Sequence, residues 1–389
     1  MKNIKIKYVL IILILAAGFK LVFAAEIEKY SVNSMKDIDV YILKGVSTTK
    51  QLTIKGIELN LNIVGSDKAK FEIFTSKQGS DLEKLLGIDK ELKQTIPLDI
   101  KYNADIMIEK NKNELTLDLT KVRNGLLLVP KNISLVVDIV KGKADIQGTN
   151  GEIVINGQQL EINITNVSAV INYMNKSGDI SISNYEGVAN MKSLHGDITV
   201  VNSSGKLKFQ SAASDVSINK FIGDIEIDIA VGDIQILNSE DMSLNINNQS
   251  GDVLLKNIKG KTIEINSASS DIAIFDLIAK NIEINNLSGD ILLNEIKSDL
   301  DLSINSGDIM LKNFEPLFKK DSKIGVNFGD VNIELRDPGL YNYFQSVNEN
   351  ELKFDGELKL DKDLKICTKD KKCIVISLNY GQISVETKK

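Results

Sequence analysis

Nine aspartates recur through the middle of the sequence: Asp179, Asp197, Asp215, Asp233, Asp252, Asp271, Asp290, Asp308 and Asp330. Successive steps are 18, 18, 18, 19, 19, 19, 18 and 22 residues. A regular array of carboxylates could hold cations or cap turns. Nonapeptide calcium repeats need paired glycines, Gly-Gly-x-Gly-x-Asp, whose carbonyls supply ligands. Here a single Gly or Ser precedes each Asp, as in Ser177-Gly178-Asp179 and Ser269-Ser270-Asp271. The array is therefore read as a turn-capping ladder, each carboxylate accepting backbone N–H groups. No metal and no cofactor are expected.

The other reactive residues are few. His195 is the single histidine. It fills a turn slot held by Ser in several other repeats, and no Cys or Ser partner stands at a recognisable spacing, so it is read as a turn residue. Cys367 and Cys373 flank the polar loop Thr-Lys-Asp-Lys-Lys at 368–372. A hairpin disulfide in an oxidising compartment is the expected state, with two free thiols as the alternative. Closing so short a loop contributes about 2 kcal/mol by chain entropy. A sugar-cleaving β-helix enzyme would need long loops around its acids and bases. The turns here are too short to wall a pocket, and no catalysis is expected.

The elements that carry the aspartates alternate strictly. Apolar residues sit one and three places after each Asp, for example Ile180/Ile182, Ile234/Ile236 and Ile291/Leu293. Half-way between aspartates a second set alternates, as in Ile225/Ile227 and Ile263/Ile265. Period two places these side chains on one face of a strand, and β-branched residues suit a pleated sheet. The connections are too short for helical crossovers. A constant step means one unit stacked on itself. The expected fold is all-β: a right-handed parallel β-solenoid with two strands per 18–19-residue rung. Its axis from Asp179 to Asp330 is roughly 40 Å at ~4.8 Å per rung. Asn184, Asn202, Asn238, Asn257 and Asn313, with Asp276 in the same register, stand five places after an aspartate, where stacked amides can bond along the column.

Four segments follow from this pattern. Residues 1–24 read as a secretory signal, with Lys2, Lys5 and Lys7 before an apolar run and Val22-Phe23-Ala24 before the cut. The run is shorter than a membrane span and is interrupted by Lys20. An uncleaved anchor is the alternative, and no stable membrane span is expected once the signal is cleaved. Residues 25–140 form a β-rich segment leading into the coil, with one or two helical turns expected near 80–86. Residues 141–335 are the repeats. Residues 336–389 form a cap with the cysteine hairpin and a last rung. The formal net charge of −6 argues against a nucleic-acid partner.

Two places after each Asp the side chain points outward. These positions are polar in early rungs, at Ser181, Thr199, Ser217 and Gln235. They turn apolar at Leu254, Ala273, Leu292 and Met310. The matching half-way positions, Lys208, Glu226, Glu264, Glu283 and Asp301, stay charged and mostly acidic. An apolar column several rungs long seldom stays bare. The aromatic stretch 340–354 folding back is its expected cover; a partner, a membrane or a second copy is the alternative, which makes the column a candidate docking face.

Tandem Ser-Gly-Asp-Ile/Val units, preceded by Val-Pro-Lys-Asn-Ile-Ser-Leu at 129–135, resemble the toast-rack, or adhesin-type, β-repeat family of bacterial envelope proteins. The resemblance covers about residues 113–335. It implies a non-catalytic, envelope-exposed β-solenoid in the periplasm or on the cell surface. The partner it implies is an envelope or surface component, protein or glycan. A structural or envelope-stress-linked accessory is the alternative function.

Overall fold

The computed structural model describes residues 26–31, 38–44, 49–67, 71–76, 107–111, 113–336, 343–346, 351–352, 357–360, 364–367 and 372–388. The expected signal at 1–24 and the helical turn near 80–86 lie outside them. The described regular structure is all β, in parallel strands stacked as a β-solenoid. The chain divides into two compact units, residues 1–193 and 194–389.

In the first unit the coil starts at Gln51–Ser66, a run of 16 residues. It pairs in parallel with Ser134–Gln147, from Gln51↔Ser134 to Val64↔Gln147. Ser134–Gln147 in turn pairs with Ile153–Met174. The stacking thus begins within the segment where the sequence shows no repeat. Antiparallel strands flank this start: Glu26–Ser31 with Ile38–Lys44, Ile38–Lys44 with Phe71–Ser76, and Phe71–Ser76 with Asn124–Pro130. Two tyrosines complete the unit's interior. Burial pushes the Tyr173 phenol up to about 12, against the opposing effect of a hydrogen bond from Asn175 Nδ2 at 2.7 Å, while Asp179 adds a smaller upward push. Burial also raises Tyr185, whose hydroxyl donates to the Ala169 carbonyl at 2.8 Å.

In the second unit the rungs follow one another without interruption: Ile198–Ala213, Val216–Val231, Ile234–Ser250, Val253–Ser269, Ile272–Ser288 and Ile291–Ser306. Each pairs in parallel with the next. The sequence predicts two separate short strands per rung. The structure instead keeps ladder bonding for 16 or 17 residues and bends the chain at single residues. From Asp197 to Asp308 the first bend falls five places after each Asp, at Asn202, Lys220, Asn238, Asn257, Asp276, Glu295 and Asn313, with φ between 50° and 58°. Asn and Asp tolerate this left-handed conformation better than other L-residues, which explains their abundance in the slot. Each bend resets the alternation. After Asn202, Ser203 turns inward, and Leu207 and Phe209 then continue the core. The inward positions are sealed: Ile234, Ile236, Val253, Leu255, Ile272, Ile274, Ile291 and Leu293 are all 0% exposed.

The second bend precedes each Asp. At Gly251, φ is 119° and a Cβ would stand 2.3 Å from the carbonyl oxygen of Gly232 one rung earlier. Only glycine fits that approach. Ser214 and Ser270 hold the same slot without positive φ, buried and bonded through Oγ to Ser211 at 2.7 Å and Ser267 at 2.5 Å.

The one long step, from Asp308 to Asp330, is an insertion between Ile309–Glu315 and Ser322–Phe328. Asp299, 1% exposed, anchors it: Oδ2 accepts the backbone N–H groups of Lys319 and Lys320 at 3.1 and 3.2 Å. Past it, Ser322–Phe328 pairs in parallel with Cys373–Tyr380, and Val331–Arg336 with Ile383–Lys388. Of the expected cover at 340–354, Tyr343–Ser346 and Glu351–Leu352 are described. They pair antiparallel with each other, and Tyr343–Ser346 also pairs with Leu364–Cys367. This places them in a C-terminal antiparallel sheet, where bare coil edges are best capped.

Candidate functional site

The aspartate ladder is built by the close stacking of the second bends. In the second unit each Oδ1 accepts the backbone N–H of the next aspartate. Asp197 accepts from Asp215 at 3.0 Å, Asp215 from Asp233 at 2.9 Å, and Asp233 from Asp252 at 2.8 Å. The series continues through Asp252, Asp271, Asp290 and Asp308, and ends with Asp330 accepting from Gln382 at 2.8 Å. Asp179 lies in the first unit. The carboxylates are exposed, and from Asp197 to Asp330 each satisfies a donor that the sharp turn would otherwise leave to water. Among the described residues, no group of three or more His, Cys, Asp or Glu side chains could hold a metal ion.

His195 lies on the surface at the end of Ile180–His195. Cys367 and Cys373 form a disulfide across an antiparallel pair, with Cα atoms 4.1 Å apart. Their strands, Leu364–Cys367 and Cys373–Tyr380, tie the C-terminal sheet to the last rungs of the coil.

Leu254, Ala273, Leu292 and Met310 stand in one register, continued by Gln235 before and Asn332 after. Leu254, Ala273 and Leu292 are half-buried and Met310 is 38% exposed. Each side chain shields its neighbour along the column, which limits the apolar area presented to water. On the half-way strands Glu226, Asn245, Glu264, Glu283 and Asp301 form a second, largely acidic column. Lys208 pairs with Glu226 at 2.5 Å at its early end.

The sequence reading missed a third feature. Two residues beyond that acidic column, Asp228, Asn247, Asn266, Asn285 and Ser303 point outward in register. The next position turns inward, at Ile229, Asn248, Ser267, Asn286 and Ile304. The one after turns outward again, at Gln249, Leu287, Asn305 and Asn327. Two outward columns around an inward one make a groove of about 580 Å³ running along the rungs. Its walls are amide-rich. Asn266 Nδ2 donates to Asn247 Oδ1 at 3.2 Å, and Asn285 Nδ2 to Asn266 Oδ1 at 3.0 Å. On the other side Asn327 donates to Asn305 at 2.9 Å, and Asn379 to Asn327 at 2.7 Å. In the floor, Asn248 and Asn286 tie down the second bends: Asn286 Nδ2 donates to the Ser270 carbonyl at 2.8 Å, and Asn248 Nδ2 to the Gly251 carbonyl at 2.9 Å. One residue beyond Asn327 and Asn379, the rings of Phe328 and Tyr380 stack with centroids 5.1 Å apart, 52% and 67% exposed. The signal was present as Asn at 19-residue steps in Asn247, Asn266 and Asn285.

Comparison with known proteins gives three findings. The Toastrack DUF4097 family matches twice, at residues 88–255 and 219–386. No curated protein matches. A solved structure from Clostridium sporogenes described as a "putative cell adhesion protein" matches at 14% identity, covering 51% of this chain and 97% of that one, with a TM-score of 0.21.

Proposed function

The chain belongs to the Toastrack DUF4097 family, and from that premise we propose that it is an exported, non-catalytic binding scaffold of the cell envelope, of adhesin type. One observation carries the reading. In the second unit, outward side chains of equivalent rungs stand in unbroken columns, so that the surface repeats itself along the coil. Such a surface suits contact with an extended or repetitive partner, whereas catalysis wants a few unlike groups converging on one point. Two things support export. The amino-terminal residues have the composition of a secretory signal, and the Cys367–Cys373 disulfide belongs to an oxidising compartment.

Fractionation of cells followed by thiol alkylation tests the location. The protein should sit with the envelope or medium, start at Ala25, and resist alkylation until reduced. Binding of the purified full chain to isolated envelopes tests the activity. A cytosolic protein with alkylatable Cys367 and Cys373, or an exported one with no affinity for envelopes, overturns the proposal.

A further inference from the structure

The structure assigns an occupant to the amide-walled groove: we propose that it binds a linear, uncharged polysaccharide chain, an inference that rests on the envelope-scaffold reading and gives it a ligand class. Four observations converge. First, the groove is long and open rather than enclosed. It crosses rungs from Asp228 to Asn327, each advancing ~4.8 Å, comparable with the advance of one sugar along an extended polysaccharide. A repeating ligand can thus meet a repeating wall in register.

Second, the wall chemistry is that of neutral hydroxyl and acetamido groups. Asn247, Asn266, Asn285, Asn305 and Asn327 each carry an amide with two donors and two acceptor lone pairs. The ladder bonds, together with bonds from Asn266 to Glu264 at 3.1 Å and from Asn285 to Glu283 at 3.5 Å, use both donors of those two amides and fix which way each points, leaving acceptor lone pairs there and donors on Asn247, Asn305 and Asn327. What remains is pre-oriented toward a ligand, so less ordering has to be done on binding.

Third, the groove has apolar patches for the faces of sugar rings. Leu287, 62% exposed, interrupts the amides. The exposed Phe328–Tyr380 stack stands at its C-terminal end, next to Asn327. Exposed aromatic rings beside planar amides offer both halves of sugar recognition, an apolar face and in-plane hydrogen bonds.

Fourth, charge selects against the competing polymers. Asp228 is the single charged residue among the groove's lining. The adjoining column of Glu264, Glu283 and Asp301 is acidic, and no ion pair to these three occurs among the described residues. A polyanionic glycan or nucleic acid would be repelled at these three rungs.

The test uses the purified full chain and three probes in isothermal titration: the N-acetylglucosamine hexasaccharide, cellohexaose, and an oligogalacturonate of similar length as the charged control. At least one neutral probe should bind and the charged one should not. Asn285→Asp/Asn305→Asp changes two exposed groove amides almost isosterically and should weaken binding by about tenfold or more. Tyr380→Ala should also weaken it, whereas Gln235→Asp, on the column that leads to Leu254, should not. Unchanged melting of each variant establishes that it is folded. Absence of binding to both neutral probes overturns the groove's ligand, as does binding undiminished in both groove variants. The parent reading fails separately: full chain that ignores the hexasaccharides yet binds protease-sensitive sites on isolated envelopes is a scaffold for protein. Full chain that binds neither is no scaffold of this kind.

Discussion

Gly251→Ala probes the close stacking on which every column depends. The new Cβ would meet the Gly232 carbonyl oxygen at 2.3 Å, its carbon at 2.6 Å and Asp233 Oδ1 at 3.1 Å. The first two belong to the backbone of the previous rung, so no side chain can swing away. Holding a non-glycine residue at such a φ costs about 1–3 kcal/mol. Relieving the contact means lifting the turn, which loosens Gly251 N–H to Ser269 O at 3.3 Å and Asp252 N–H to Asp233 Oδ1 at 2.8 Å. Each such bond contributes about 1 kcal/mol net. Together the loss is about 2–5 kcal/mol, a fall in Tm of about 5–20 °C for a unit of this size. Urea and thermal unfolding followed by circular dichroism measure it. The control is Ser270→Ala, in the equivalent slot of the next rung. Without positive φ there, it loses only the Ser267 contact and about 1 kcal/mol. Equal losses at the two positions would refute the argument, because the stacked-carbonyl approach is what distinguishes them.

Three further outcomes are expected. Ile234→Asp replaces a side chain that is 0% exposed and forfeits about 1.5–3 kcal/mol of burial plus the larger cost of an unpaired carboxylate, whereas exposed Gln235→Asp should barely move the unfolding midpoint; equal shifts would contradict the alternation. Tyr173 is held neutral by burial, so its folded value of about 12 lies above its unfolded value near 10; the stability this confers is complete below pH 10 and lost as pH rises toward 12, so absorbance titration at the tyrosinate band should show delayed ionisation whose amplitude falls by one tyrosine in Tyr173→Phe, the remainder belonging to buried Tyr185. Reduction of Cys367–Cys373 should cost about 2 kcal/mol, read as a lower unfolding midpoint against the oxidised chain.

The inward half of the fold was legible because burial imposes one rule on every rung. Ile180/Ile182, Ile234/Ile236 and Ile291/Leu293 repeat since any polar residue there would be sealed from water. The first rung was not legible for a different reason. Gln51–Ser66 pairs residue for residue with Ser134–Gln147, but the intervening chain breaks the constant step on which repeat detection depends. The groove escaped notice because its walls belong to two columns separated by one inward residue. Asn285 and Leu287 look like ordinary surface until the bend at Asp276 sets which way the following strand faces.

The asparagine column shows how one pattern can conceal two demands. The sequence suggests an amide ladder, and bonds such as Asn257 Nδ2 to Asn238 Oδ1 at 2.9 Å exist. Yet Lys220 and Glu295 occupy the same slot at φ 58° and 57°, so the backbone bend is the constant and the amide is not. Before Lys220 and Glu295 the preceding residue supplies the amide. Asn219 accepts from Asn238 at 2.9 Å, and Asn294 from Asn313 at 3.4 Å. At these two rungs conformation and ladder are thus met by different residues. The same separation governs the outer columns. Inward positions and bends hold the rung in place whatever points outward, so Leu254 to Met310 can turn apolar and Asn247 to Asn285 can turn to amides without altering the coil. A surface free of folding duty is where binding specificity can change rung by rung, which is why the outward columns, rather than the Gly–Asp repeat that defines the fold, are where the proposed ligand is sought.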